Sequence, residues 1–120
     1  MVATTDTLET FALADQLRRL VDRVPLSERE VALATGADEP TVAAWLRRET
    51  APSGKAATRL AELIAVVETL EQVTRPEAIG PWLARKVPAL HNGTPAAVIA
   101  SGGYEQVYEI AAELAAGTFT

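Results

Sequence analysis

The chain of 120 residues contains no cysteine. Disulfides, thiolate-held metals and cysteine nucleophiles are therefore excluded, and the redox compartment stays open. Histidine is nearly as scarce: His91 stands alone beside an Asn-Gly loop, where such a residue is ordinarily a surface one. No carboxylate pair, Ser-His arrangement, metal-ligand cluster or phosphate-cradling glycine loop accompanies it, and the adjacent Gly102 and Gly103 fall between two expected helices. The sequence thus reads as a binder without catalytic residues, cofactor or metal. No segment approaches the roughly 18 uninterrupted apolar residues of a membrane span, and charge alternates too early in residues 1–20 for a secretory signal. A cytoplasmic protein away from membranes is expected. No run alternates with period two, so strands are not expected either.

The length suits one compact domain, or two helical lobes sharing a seam. Hydrophobic residues make up 48% of it, with Ala, Leu and Val dominant, which favours helix. The net charge of −5 gives no overall attraction to phosphate, so any nucleic-acid binding must rest on a local patch. Residues 26–60 hold five basic and five acidic side chains, whereas residues 91–120 hold three glutamates and no Lys or Arg. The acidic end points to a protein partner.

Along the chain, Leu8, Phe11, Ala12, Leu17, Leu20, Val21 and Val24 recur at helical spacing until Pro25. Ser27 with Glu30 three residues on forms a capping box for a short helix to Thr35, and Gly36 supplies a turn. Asp38 or Glu39 with Pro40 starts a helix to Arg48, and residues 49–54 read as a loop. A longer helix is expected over residues 55–73, with Leu60, Leu63, Ile64, Val67 and Leu70 on one stripe. Thr74, Pro76 and Glu77 repeat the start signals of a helix, Pro81 predicts a kink or restart within it, and Pro88 predicts its end. Thr94 and Pro95 open another short helix that the glycine pair stops. Tyr104, Val107, Tyr108, Ala111 and Leu114 mark a final helix with Gly117 as its cap.

Two expected helices meet at Gly36, with the small Ala32 four residues before and Val42 six after, the spacing of a helix-turn-helix. Val31, Thr35 and Ala37 fill the inner positions, and Val42, Trp45 and Leu46 fall on the core face of the second helix. Pro40, Ala44, Arg47 and Arg48 fall on the other. Arg47, Arg48, Lys55 and Arg59 bracket the end of that helix, where phosphates would lie, while Thr41, Ala44 and Arg47 are the candidates for base contacts. Asp38 and Glu39 oppose phosphate there. Operator binding and a helix-turn-helix kept only as an assembly scaffold both fit this pattern.

The last third carries Trp82-Leu83, Pro88-x-Leu90, Gly93-x-Pro95, Gly103-Tyr104-x-x-Val107 and a closing Gly117-x-Phe119. In that order these residues resemble the toxin-binding domain of the Xre/ParS/MbcA-type antitoxins, which join it to an Xre-like helix-turn-helix. The two parts together cover roughly residues 25–120. The resemblance implies an all-α protein divided into an N-terminal helix (1–25), a helix-turn-helix region (26–72) and a small helical toxin-binding domain (73–120). It implies an antitoxin that neutralises a RES-domain toxin, an enzyme that destroys NAD, within a homo- or hetero-oligomeric assembly, and that represses its own operon by binding operator DNA. The toxin-binding residues it implies are Trp82, Gly103, Tyr104, Val107, Tyr108, Phe119 and Thr120, alongside Leu90 and Pro95 of the motif. The tail after Gly117 would then occlude the toxin's active site. An autonomous helix-turn-helix regulator and an assembly module without DNA remain the alternatives.

Overall fold

The computed structural model describes the backbone of residues 2–117 and the side chains of residues 11–117. Among the described residues it holds α1 (Val2–Arg23), α2 (Glu28–Thr35), α3 (Glu39–Leu46), α4 (Gly54–Leu70), α5 (Pro76–Leu83), α6 (Pro95–Ala100) and α7 (Tyr104–Ala115), one 3₁₀ turn at Pro88–Leu90 and no strand. The all-α class expected from the sequence is observed.

The capping chemistry explains most boundaries. The Ser27 hydroxyl accepts from the Glu30 amide at 3.1 Å while Glu30 Oε1 accepts from the Ser27 amide at 2.9 Å, so two of the orphan donors at the start of α2 are satisfied reciprocally. Gly36 ends α2 at φ 79°, with its amide on the Ala32 carbonyl at 2.9 Å. Asp38 caps α3 by accepting from the Thr41 amide at 2.9 Å, and Thr94 caps α6 in the same manner at 3.1 Å.

Several boundaries differ from expectation. Helix α3 ends at Leu46 instead of Arg48, because Arg47 is its cap and Arg48 turns into left-handed backbone at φ 58°. Helix α4 ends at Leu70 instead of residue 73, and residues 71–73 continue as turns. The cap of α5 is Arg75 instead of Thr74, without a side-chain cap bond. Proline at the first helical position fixes φ and lacks a donor, and it drives the residue before it to extended backbone, here ψ 142°. Helix α5 also runs unbroken through Pro81 and ends at Leu83, ahead of Pro88. In a helix of 8 residues Pro81 forfeits a single intrahelical bond, to the Glu77 carbonyl, and the burial of Ile79 and Leu83 on one face outweighs it.

The core is continuous. Helix α4 contributes Leu60, Leu63, Ile64, Val66, Val67 and Leu70, all buried. Helices α1, α2, α6 and α7 pack against it, α2 also packs on α3 and α6, and α1 on α3. The expected regions 26–72 and 73–120 therefore share one hydrophobic interior, in which Trp45, Ile79, Ile99 and Val107 belong to the same cluster. Buried Thr35 donates to the Val31 carbonyl at 2.8 Å, so its hydroxyl is satisfied.

Two glycines are required by packing. A β-carbon on Gly80 of α5 would stand 2.9 Å from Glu30 Oε1, and one on Gly103 would stand 2.5 Å from Val98 Cγ1 and 3.1 Å from the Val98 carbonyl. Val98 is β-branched and cannot swing aside freely. Gly103→Ala is expected to destabilise the protein by about 1–3 kcal/mol through overpacking. Gly36→Ala, which meets open space but must adopt φ 79°, is expected to cost roughly 1 kcal/mol. Urea midpoints at unchanged m-value check both, and a Gly103→Ala protein as stable as the parent would show that the Val98 contact yields without cost.

Candidate functional site

Two exposed surfaces carry the residues singled out in the sequence. The first is the outer side of the α2–α3 pair. Val42 and Trp45 are buried beneath α3 and Leu46 is half-buried, as their spacing predicts, with Ala32 and Thr35 buried in α2. Thr41 and Ala44 line a shallow depression of about 480 Å³ together with Asp38, Pro40, Thr50 and Ser53. The hydrogen bond from Thr41 holds the Asp38 carboxyl below the usual carboxylate range, so the edge of this depression stays negative at neutral pH.

Three of the expected phosphate-binding cations are engaged by carboxylates of the same chain, and one of these, Arg59, is directed toward the start of α7, where a β-carbon on Gly102 would stand 3.4 Å from its Nη2. Arg47 forms a two-pronged pair with Glu49, Nε–Oε2 2.9 Å and Nη2–Oε1 3.0 Å, which raises the arginine's pKa and lowers the glutamate's. Arg59 Nη1 meets Glu62 Oε1 at 2.9 Å. Arg48 Nε lies 3.2 Å from Asp15 Oδ1 of α1, and its guanidinium carbon sits 4.8 Å from the centre of the Phe11 ring. Lys55 is exposed, and no partner for it is found among the described residues. The proximity of Glu49 to Arg47 and of Glu62 to Arg59 is visible in the sequence. The pairing of Arg48 with Asp15 has no local signal, because the two are 33 positions apart, and it is the contact that sequence reasoning missed.

The second surface belongs to α5 and α7. Tyr104 is half-buried and Tyr108 is 37% exposed, with ring centroids 5.5 Å apart. Burial raises the Tyr104 pKa, and neighbouring Tyr108 and Glu62 push it the same way, so the phenol remains a neutral donor. Tyr104 shares a shallow polar depression of about 360 Å³ with Glu62, Glu105, Gln106 and Glu109. Trp82 is half-buried in a different place, an apolar groove of about 330 Å³ lined also by Leu70, Val73, Ile79, Arg85 and Leu114. Since Glu62 neighbours Tyr104 and Leu70 neighbours Leu114, α4 and α7 run side by side in one direction, and the two patches lie toward opposite ends of α7.

The remaining members of the expected toxin-binding set are placed differently. Val107 is wholly buried, Leu90 and Pro95 are buried, and Gly103 is the cap of α7 packed on Val98. Val107, Leu90 and Pro95 shape the surface without forming it, whereas Gly103 lines the depression that holds Tyr104. Phe119 and Thr120 lie outside the described residues, although Gly117 at φ 73° fixes where the chain leaves α7. Among the described residues no group of His, Asp and Glu is placed to hold a metal, and no helix is long and apolar enough to cross a membrane.

No family model and no curated protein matches this chain. Among solved structures it is similar to a chain of the crystal structure of the M. tuberculosis MbcT-MbcA toxin-antitoxin complex. The two are 26% identical, the match covers 90% of this chain and 97% of that one, and the TM-score is 0.77. The all-α fold and the resemblance to MbcA-type antitoxins read from the sequence are both consistent with this likeness.

Burial separates packing from surface along α7. Val107→Ala is expected to cost about 2 kcal/mol by opening a void in the core. Tyr108→Ala, on an exposed position, is expected to stay within about 1 kcal/mol of the parent. Thermal or urea unfolding of the two variants checks this, and equal losses would place Tyr108 in the core.

Proposed function

We propose that this chain is an antitoxin of the MbcA type, a binding protein without chemistry of its own, which neutralises a RES-type, NAD-degrading toxin. The observation that carries this reading is the whole-length likeness to a component of a toxin–antitoxin complex. The surface of α7 supports it. Its exposed residues include Glu105, Glu109 and Glu113 and the helix has no basic residue, so it suits a positively charged cleft built to hold an anionic dinucleotide. The tyrosine pair adds apolar area with polar tips at the N-terminal end of that face, a composition that favours tight interfaces. In this reading Tyr104, Tyr108 and Trp82 anchor the complex, and the tail carrying Phe119 and Thr120 enters the toxin's active site.

Removing residues 118–120 tests the tail. Gly117 already closes α7, so the truncated protein is expected to fold and to bind the purified RES toxin while failing to protect NAD from it. NAD consumption at saturating antitoxin, with binding followed in parallel, distinguishes the outcomes. Full inhibition by the truncated chain would place neutralisation elsewhere on α7, and joint loss of binding and inhibition would make the tail an anchor.

The α2–α3 pair supports a second activity, repression of the protein's own operon by a helix-turn-helix. Thr41 and Ala44 stand on the outer face of α3, with Lys55 and Arg47 beside them. Binding to the DNA upstream of the gene is expected to weaken with salt at a log–log slope of about −3 per protomer, for three or four neutralised phosphates. Alanine at Arg47, Arg48, Lys55 and Arg59 together is expected to abolish binding. Unchanged affinity and slope in that variant would leave an assembly scaffold as the role of this pair.

A further inference from the structure

At the end of α3 the chain makes a reversal that helices ordinarily close with glycine. The Arg48 amide donates to the Trp45 carbonyl at 3.0 Å and the Glu49 amide to the Ala44 carbonyl at 2.9 Å, while Arg48 itself adopts φ 58°. Glycine reaches that backbone without steric cost and arginine does not. The side chain standing there is directed back at α1, where Asp15 takes its Nε at 3.2 Å and Phe11 lies beneath its guanidinium plane. One turn on, Arg18 of α1 donates to the Leu46 carbonyl at 3.0 Å, so α1 grips the end of α3 through Phe11, Asp15 and Arg18.

Of the cations near the α2–α3 surface and the start of α4, Arg47 and Arg59 have partners within their own stretch of chain, Glu49 and Glu62, which move with them. Arg48 is the one of these held by α1. A carboxylate presents a guanidinium with the same oxygen geometry as a phosphate, so Asp15 fills the place a phosphate would take. We propose that α1 is a built-in competitor for nucleic-acid phosphate: Asp15 and Phe11 hold the Arg48 guanidinium, and duplex binding by the α3 face requires Arg48 to leave α1. This inference rests on the DNA-binding reading above. The pair is about half exposed on the Arg48 side and 37% exposed at Asp15, so the competition is graded and not absolute.

Fluorescence anisotropy of a labelled duplex from upstream of the gene, titrated with the full chain across a range of salt, tests the inference. Asp15→Asn is expected to raise affinity about three- to fivefold, the upper end of what one exposed ion pair is worth, and to steepen the salt slope by about one. Asp22→Asn removes an equal charge from the same helix without touching Arg48 and is expected to change affinity less than twofold. Arg48→Gly suits the left-handed backbone, so it preserves folding, and it is expected to weaken binding about tenfold. In the Arg48→Gly background Asp15→Asn is expected to have no effect beyond that of Asp22→Asn. An Asp15→Asn gain that persists without Arg48 would reduce the effect to general repulsion and overturn the inference. Wild-type binding that Asp15→Asn leaves unchanged would overturn it while the DNA-binding reading stands, and no binding by any variant would remove both.

Discussion

Everything in this fold depends on the burial of α4. Its apolar positions Leu60, Leu63, Ile64, Val66, Val67 and Leu70 cover an arc of roughly 160° at 100° per residue, wide enough to receive several neighbours at once. At about 2 kcal/mol per large aliphatic side chain buried, this stripe is the largest single apolar contribution in the chain. Helices α1 and α2 take one part of it and α6 and α7 another. Neither the α2–α3 surface nor the α7 surface has a core of its own, and both are presented on one body.

The same arrangement reconciles an acidic protein with a cluster of arginines. A net charge of −5 would discourage phosphate at long range, and the arginines at the end of α3 are satisfied at short range by Glu49 and Asp15. The field outside α3 is weaker than a count of its cations suggests. Helix α7 itself carries no basic residue, so the surface along it is acidic.

What was legible in the sequence was whatever is encoded within four residues. Ser27 with Glu30, Gly36 and Gly117 announce their roles by spacing or by backbone freedom, the start of α3 is announced only to within Asp38 or Glu39, and the apolar stripe of α4 announces the core. The failures share a different character. Pro81 predicts a kink or a restart from local chemistry, and the restart is absent because tertiary burial of Ile79 and Leu83 carries the helix through. Arg48 gave no sign of left-handed backbone, since the expectation for that conformation is glycine, and its partner lies in α1. For the candidate site, Tyr104 and Tyr108 were found as a pair, but Trp82 on another patch and Val107 in the core could be separated only by the packing of α5 and α7.

Gly80 leaves no room for even one carbon between α5 and the Glu30 carboxylate, and that carboxylate is half of the box that starts α2. A side chain at position 80 therefore requires the Glu30 carboxylate to move and to give up its bond to the Ser27 amide, while the bond from the Glu30 amide to the Ser27 hydroxyl can persist. The two positions form a matched lock. In chimaeras that join the first half of one protein of this fold to the second half of another, compatibility at this point is a condition that neither half reveals alone. A swap that preserves every surface contact still forfeits that half of the cap, at about 1 kcal/mol, if it brings a bulky residue at 80 to a partner that keeps its glutamate at 30.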